Sequence, residues 1–147
     1  MEIIKIVCSE CNTLNSSKGE SKEETVICKQ CHSELDNPFV VEVDDENCML
    51  HIKENSIAVL VDFYSTACGP CMAMYEDYED AALGFGSTVR FLKINADKHQ
   101  KAAKEYGVGA LPTIIAFKEG EEVGRISQQL SQVELSLWAQ DLETLYL

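Results

Sequence analysis

Ala67-Cys68-Gly69-Pro70-Cys71 joins two segments of different periodicity in this chain. The apolar run before it, Ile57-Ala58-Val59-Leu60-Val61-Asp62-Phe63, predicts a buried strand, and apolar residues recur at helical spacing after it. Two cysteines that are separated by two residues at a strand-to-helix junction can close a small disulfide at a helix N-terminus. There the helix dipole and free backbone N–H groups favour a thiolate. Because a thiolate is the nucleophile of thiol–disulfide exchange, this placement predicts redox chemistry.

The size and the charge of the chain limit its possible functions. A length of 147 residues suits one domain with a small appendage. The net charge of −13 argues against nucleic acid and against a polybasic membrane patch, because both need clusters of Lys and Arg. No apolar run approaches the roughly 20 residues of a membrane span, and Met1–Lys5 becomes polar too soon for a signal peptide. We therefore expect a cytoplasmic protein that binds neither nucleic acid nor membranes.

Seven cysteines need an explanation other than structural disulfides, which are rare in the cytosol. Six of them form three Cys-x-x-Cys pairs: Cys8 with Cys11, Cys28 with Cys31, and Cys68 with Cys71. The first two pairs stand sixteen residues apart, which is typical of a zinc ribbon with two thiolate knuckles. We predict one structural zinc per chain, with Cys8, Cys11, Cys28 and Cys31 as its ligands. Two further redox pairs, or disulfides that form after metal loss, are the alternatives.

The chain divides near Pro38. Residues 1–38 contain the first two cysteine pairs and a polar connecting segment, Asn12–Thr25. This region has too few large apolar residues for a core of its own, so it needs a cross-link to hold its fold. We expect a zinc-ribbon domain over residues 1–38 and a redox domain over residues 39–147, with a redox core that does not depend on the ribbon.

The pattern after Pro38 predicts an α/β fold. Ile57–Tyr64 and Thr88–Asn95 are predicted strands, and the helix between them makes a right-handed crossover that pairs them in parallel. Thr113–Phe117 and Glu122–Ile126 predict an antiparallel hairpin at one edge, so the sheet is mixed and flanked by helices. The other predicted elements are a strand at Phe39–Val43, a helix from Asp44 or Asp45 to about Asn55, a helix at Lys98–Tyr106, and a last helix that opens with a capping box of Ser131 and Glu134.

Asp62 interrupts an otherwise apolar strand, and a buried carboxylate is costly unless it is paired or neutralised. It lies near the C-terminal end of its strand, where active sites gather in open α/β sheets. A buried Asp there can hold or remove a proton for the second cysteine. The alternative is a partly solvated Asp62 in a salt bridge with Lys93. Farther along, Leu111-Pro112-Thr113 opens a strand, and the residues alone predict a trans bond before Pro112.

From about residue 39 to residue 147 the chain resembles the thioredoxin family. The segments that carry the resemblance are Val61-Asp62-Phe63, Cys68-Gly69-Pro70-Cys71, Lys93-Ile94-Asn95-Ala96-Asp97, Tyr106-Gly107-Val108, Leu111-Pro112-Thr113 and Phe117-Lys118-Glu119-Gly120. The resemblance implies a thioredoxin fold and a protein-disulfide oxidoreductase. It implies Cys68 as the attacking thiol, Cys71 as the buried resolving thiol and Asp62 as the buried acid/base. From the residues themselves, Lys93 is expected to be the electrostatic partner of Asp62 in either case.

The same resemblance implies a substrate surface and partners. It implies a cis bond before Pro112 and a loop there that lies against the disulfide and pairs with the substrate backbone. The implied substrate-binding residues are Ala67, Gly69, Pro70, Ala110, Leu111, Thr113 and Gln128. Disulfide-containing proteins would be the substrates and thioredoxin reductase the electron donor. A zinc ribbon ahead of such a domain resembles the thioredoxin 2 type of bacterial thioredoxins.

Three positions depart from the family pattern. Ala67 stands where Trp is usual, Glu76 where Pro is usual, and Gln128 where our alignment expects Gly. All three lie near the substrate surface in the family, so they leave the chemistry intact and put the usual partners in doubt. The alternative function is a zinc-dependent binding module, or a redox-regulated holdase, with a weakened redox site.

The remaining notable residues have simpler interpretations. We expect Cys48 to be a small core side chain rather than a regulatory thiol, and Trp138 to lie on the core face of the last helix. His51 is expected to be solvated, because no cluster of polar residues surrounds it. The acidic run Glu76–Asp80 is interpreted as a solvated helix face.

Overall fold

The computed structural model describes residues 4–17 and 27–145. Its centre is a five-stranded mixed sheet in the order β3-β5-β4-β6-β7, and a separate two-stranded sheet lies near the N-terminus. The elements in chain order are β1 (Ile4–Val7), β2 (Leu14–Ser17), β3 (Val41–Glu42), α1 (Asp45–Glu54), β4 (Ala58–Tyr64), α2 (Gly69–Ala82), β5 (Val89–Asn95), α3 (Gln100–Glu105), β6 (Thr113–Lys118), β7 (Glu121–Ile126) and α4 (Gln132–Leu145). Within the described ranges, no helix combines the length and the apolar character that a bilayer span requires.

The central strand β4 organises the sheet. It pairs in parallel with β5 and antiparallel with β6, which forms a hairpin with β7. Val59, Val61 and Phe63 pack on the side of α1 and α3, whereas Ala58 and Leu60 pack on the side of α2 and α4. Because both faces are covered, β4 is apolar at nearly every position rather than alternating. The predicted fold class, a thioredoxin fold with a mixed sheet flanked by helices, is confirmed.

Local signals place most element boundaries correctly. The predicted capping box is present: the Ser131 N–H donates to Glu134 Oε1 at 3.0 Å, and the Glu134 N–H donates to Ser131 Oγ at 3.2 Å. The predicted helix at Lys98–Tyr106 is shorter, because Asn95 Oδ1 accepts bonds from the N–H groups of Asp97 and Lys98 and holds them in a turn. The predicted strand at Phe39–Val43 is reduced to β3.

The N-terminal region is built from two similar cysteine turns. The Cys8 N–H donates to Thr13 O at 2.9 Å, and the Cys28 N–H donates to Ser33 O at 2.8 Å. Each turn contains a residue in the left-handed region, with φ of 63° at Asn12 and 65° at His32. The core of this region is small, as its composition predicts, and consists of Ile6, Cys8, Cys28 and Leu35. Residues 18–25 of the predicted polar segment lie outside the described residues.

The N-terminal region is hydrogen-bonded directly to the redox domain. The Ser56 N–H donates to Lys5 O and the Val7 N–H donates to Asn55 Oδ1, both at 2.8 Å. Arg90 of β5, 1% exposed, donates from Nη2 to the carbonyl oxygens of Val7 and Leu35. A buried arginine of the central sheet thus finds hydrogen-bond acceptors in the N-terminal region, and the independence of the redox core from that region stays a prediction.

Of the expectations for Cys48 and His51, the first is confirmed and the second is wrong. Cys48 is fully buried in the core cluster beneath α1, as expected. The expectation that His51 is solvated is wrong, since its side chain has no exposed surface. It lies one turn before Asn55, with its Nδ1 3.2 Å from Asn55 Nδ2. Burial, with a smaller contribution from the charge of Arg90, lowers the pKa of His51 to about 3, so this imidazole is neutral.

Candidate active site and four-cysteine cluster

The redox pair lies at the junction of β4 and α2. Cys68 is the N-cap of α2, with extended backbone and Pro70 in the first turn, and the Cys71 N–H points at Cys68 Sγ from 3.3 Å. The two cysteines form a disulfide. Cys68 is partly exposed, whereas Cys71 is 2% exposed. A thiolate at Cys68 is therefore stabilised by a helix N-terminus and accessible from outside, which are the properties of an attacking thiol.

The loop before β6 lies against this pair. The carbonyl oxygen of Leu111 is 3.6 Å from Cys68 Sγ. The bond between Leu111 and Pro112 is cis, as the family resemblance implies, so the trans bond predicted from the residues alone is wrong. Thr113 Oγ1 donates to Ala110 O at 2.6 Å and lies 2.9 Å from Ser127 Oγ. These contacts fix the loop beside the disulfide and tie it to the segment after β7.

The predicted substrate-binding residues surround this junction. Pro112 and Thr113 are buried and Leu111 is half-buried beside Cys68. Gln128 follows Ser127 in the segment that Thr113 contacts, so it lies on the same side of the domain as the loop. The exposed members of the predicted set are Ala67, Gly69, Pro70, Ala110 and Gln128.

Asp62 lies beneath the redox pair. It is 5% exposed, and its Oδ1 has no hydrogen-bond partner among the described residues. Burial raises the pKa of Asp62 to about 7, against the opposing effect of the Lys93 charge. Asp62 and Cys71 line one small cavity with room for about one water molecule. A carboxyl with this pKa beside the buried thiol can take up or release its proton near neutral pH.

Lys93 forms no salt bridge with Asp62, which is buried, so the alternative of a partly solvated, salt-bridged Asp62 is wrong. The Lys93 charge still acts on this carboxyl, because it lowers the pKa of Asp62 against the effect of burial. Lys93 Nζ is 3.4 Å from Glu79 Oε1 and 4.3 Å from the centre of the Tyr75 ring. Both partners line the cavity that contains Asp62. The interpretation of Glu76–Asp80 as a uniformly solvated face is thus wrong at Glu79. The spacing of positions 71, 75 and 79 on one helix face could have indicated that Tyr75 and Glu79 share a side with Cys71.

The four N-terminal cysteines meet at one point. Their Sγ atoms all lie within 4.8 Å of one another, and the pairs Cys8–Cys31 and Cys11–Cys28 are 3.6 Å apart. Tetrahedral thiolate coordination at about 2.3 Å places neighbouring sulfurs about 3.8 Å apart, so this spacing fits a metal ion. The Glu10 and Gln30 N–H groups point at Cys8 and Cys28 Sγ from 3.4 Å, which supports negative charge on the sulfurs. This cluster could hold a metal ion.

Comparison with known proteins supports the fold and the chemistry. The thioredoxin family profile matches residues 39–141. Thioredoxin C-3 of Corynebacterium nephridii is 29% identical over 133 residues, which cover 90% of this chain and 91% of that protein. This match is longer than residues 39–147 can supply, so it extends into the N-terminal cysteine region. Thioredoxin 1 of Synechococcus elongatus is 33% identical over 84 residues, covering 57% of this chain and 78% of that protein.

A solved structure with the same architecture is that of thioredoxin f from spinach chloroplast. It superimposes with a TM-score of 0.66 and 28% sequence identity, over 73% of this chain and 88% of that chain. The superposition and the family profile agree on the fold, and the profile spans the segment that contains the redox pair, Asp62 and the cis bond before Pro112. The chain therefore belongs to the thioredoxin family and is a protein-disulfide oxidoreductase.

Proposed function

We propose that the chain reduces protein disulfides in the cytoplasm through Cys68 and Cys71 and is itself re-reduced by thioredoxin reductase. The observation that carries this proposal is the asymmetry of the pair, with Cys68 accessible at a helix N-terminus and Cys71 buried beside Asp62. The five remaining cysteines form no disulfide in the structure, and thiols stay reduced in a reducing compartment.

The proposed reaction has two exchange steps. The Cys68 thiolate attacks one sulfur of a substrate disulfide, which forms a mixed disulfide and releases the other substrate sulfur as a thiolate. Asp62 then takes the proton from the Cys71 thiol. The Cys71 thiolate attacks the Cys68 sulfur, which releases the second substrate thiolate and leaves the Cys68–Cys71 disulfide. Two electrons pass to the substrate, and the reductase later returns two electrons to the protein.

Substrate recognition is assigned to the surface around Cys68. The segment from Ala110 to Thr113, held beside the disulfide, would offer backbone groups to an extended substrate. Ala67, Gly69 and Pro70 would form one wall of this surface and Gln128 the other. Pro112 would act by shaping the loop, and Lys93 by its charge near Asp62.

The first experiment tests the roles of the two thiols. Cys71→Ser should accumulate mixed disulfides with substrate, because the first exchange proceeds and the second cannot. Cys68→Ser should abolish the protein's acceleration of insulin reduction by dithiothreitol, so that only the uncatalysed rate remains. Cys48→Ala is the matched control, because Cys48 is a buried cysteine that belongs to neither cluster. A Cys71→Ser protein that forms no adducts while Cys68 still reacts with iodoacetamide would contradict this assignment of roles.

For the N-terminal region we propose a zinc ribbon over residues 1–38, as in the thioredoxin 2 type, ahead of a thioredoxin domain over residues 39–147. Cys8, Cys11, Cys28 and Cys31 would hold one structural zinc per chain. The metal would supply a cross-link in a region with a very small core. Four sulfurs at tetrahedral spacing support this proposal. Elemental analysis of protein purified under reducing conditions should give one zinc per chain, and absence of metal would contradict it.

The alternative of a binding module or holdase draws on Ala67, Glu76 and Gln128. Met72 and Tyr75, both exposed apolar side chains next to the redox pair, also favour a surface that binds partners. The insulin assay separates the two functions, because a holdase suppresses aggregation of an unfolded client without reducing its disulfides. Activity that is lost in Cys68→Ser supports the reductase.

A further inference from the structure

Arg90 is a buried cation without a carboxylate partner. It lies in β5, is 1% exposed, and forms no salt bridge among the described residues. Its Nε and Nη1 have no hydrogen-bond partner among those residues either. A buried charge is costly unless an opposite charge or a set of hydrogen bonds compensates it. The groups that offset the cost of burying this charge must therefore be those that lie next to the Arg90 guanidinium.

The ribbon faces this guanidinium. Nη2 donates to Val7 O at 3.3 Å and to Leu35 O at 3.4 Å. Val7 directly precedes Cys8, a proposed ligand, and Leu35 follows the second cysteine turn and packs in the same small core. Burial lowers the pKa of Arg90 to about 10, whereas negative charge at Cys8 and Asp36 raises it. Of the groups that face Arg90, Asp36 is exposed, and His51 is neutral.

A zinc ion with four thiolates carries two negative charges, and the ribbon core around it is apolar. A nearby cation favours the metal-bound state, because its charge is opposite to the net negative charge of a tetrathiolate zinc site in apolar surroundings. We propose that Arg90 is the counter-charge of the four-cysteine metal centre and that it thereby links metal binding in the ribbon to the stability of the redox domain. The inference rests on the zinc site proposed above.

This role of Arg90 links zinc binding and the stability of the redox domain, so each should affect the other. If the Arg90 charge strengthens zinc binding, bound zinc stabilises the fold in which Arg90 is placed beside the ribbon, because the coupling is reciprocal. The redox domain carries its own reporter: Trp138, the single tryptophan, packs against Gly124 on the opposite face of the sheet from α1. Its fluorescence therefore follows unfolding of the redox domain and not of the ribbon.

The first experiment measures zinc affinity of the full chain at pH 7 by competition with a chromophoric chelator. Arg90→Met should weaken zinc binding at least tenfold, equivalent to about 1.4 kcal/mol. Arg90→Lys, which keeps the charge and loses the planar fork, should bind more tightly than Arg90→Met. Arg125→Met is the control, because Arg125 is an exposed arginine of β7 that pairs with Glu122, and its zinc affinity should equal that of the wild type.

The second experiment follows Trp138 fluorescence during thermal unfolding with and without a chelator. Metal removal should lower the midpoint in the wild type and in Arg125→Met, and by much less in Arg90→Met. Should Arg90→Met fail to fold, the comparison of Arg90→Lys with Arg90→Gln decides, since these two differ chiefly in charge. Equal zinc affinities for those two, or for wild type and a folded Arg90→Met, would overturn the role of Arg90.

Zinc binding by the wild-type protein distinguishes a failure of this inference from a failure of the zinc proposal. A wild type that binds no zinc refutes both the site and its counter-charge. A wild type that binds one zinc, with an affinity that none of the Arg90 substitutions changes, leaves the site standing and refutes only the counter-charge.

Discussion

Lys93 Nζ lies 3.4 Å from Glu79 Oε1, and this ion pair engages Lys93 with Glu79 rather than in a salt bridge with Asp62. Asp62 is left with an Oδ1 that has no partner among the described residues and with a pKa that burial raises to about 7. A group that titrates near neutral pH can exchange a proton with the neighbouring Cys71. The ion pair between Glu79 of α2 and Lys93 of β5 therefore helps to keep the pKa of Asp62 close to neutral pH.

Asp62 should make the oxidised protein less stable as the pH rises. Its pKa is higher in the folded state than in the unfolded chain, so its stabilising contribution is fully present below about pH 4 and is lost as the pH rises through about 7. We expect Asp62→Asn to be more stable than the wild type by about 2 to 4 kcal/mol at pH 8, with the difference shrinking toward pH 4. Urea unfolding monitored by Trp138 fluorescence measures this, and a pH-independent difference would contradict it.

Loss of the Glu79 charge should lower the pKa of Asp62. In Glu79→Gln, Lys93 loses its carboxylate partner, so its charge acts more strongly on Asp62; an opposite charge within reach lowers a carboxyl pKa by roughly 1 unit or more. The pH profile of insulin reduction should shift to lower pH by about that amount. Asp80→Asn is the matched control, because Asp80 is an exposed carboxylate on the same helix that forms no ion pair among the described residues. Identical profiles for the two variants would show that Glu79 does not act through Lys93.

Restoring the family residues around the disulfide should make the protein a better substrate for a thioredoxin reductase. Ala67 and Gln128 are both exposed, and a Trp at position 67 would add a flat apolar surface beside Cys68. We expect Ala67→Trp with Gln128→Gly to raise kcat/KM for a generic thioredoxin reductase by about tenfold, or about 1.4 kcal/mol of transition-state stabilisation. NADPH consumption under matched conditions measures it, with reduction by dithiothreitol as the control. Equal rates with the reductase would mean that these positions do not govern recognition.

Short-range patterns in the chain were sufficient for much of the architecture. Ser131 and Glu134 cap α4 because both groups lie within one helical turn. The Cys68–Cys71 pair marks the strand-to-helix junction because its two residues are neighbours on the chain, and the two N-terminal pairs mark the cysteine turns for the same reason. Such features depend on local geometry, which a sequence of a few residues expresses directly.

Contacts between distant elements could not be predicted in this way. His51 has an ordinary place on an amphipathic helix, and only packing beneath the rest of the domain makes it buried and neutral. Lys93 could have paired with Asp62 beside it in the sheet or with Glu79 on α2, and the approach of α2 to β5 decides in favour of Glu79. Arg90 has no acidic neighbour within reach on its own strand to explain its burial.

The amino-acid sequence alone therefore determines the redox motif, the four-cysteine spacing, the order of strands and helices and the fold class, because each follows from residues that are close together along the chain. The tertiary structure decides which charges are buried, which ones pair and which domain supplies the partners. Arg90 meets Val7 and Leu35 only because the N-terminal cysteine region lies against β5 and α1. Burial and pairing depend on the distance between elements in space, and that distance is set by the packing of the whole molecule.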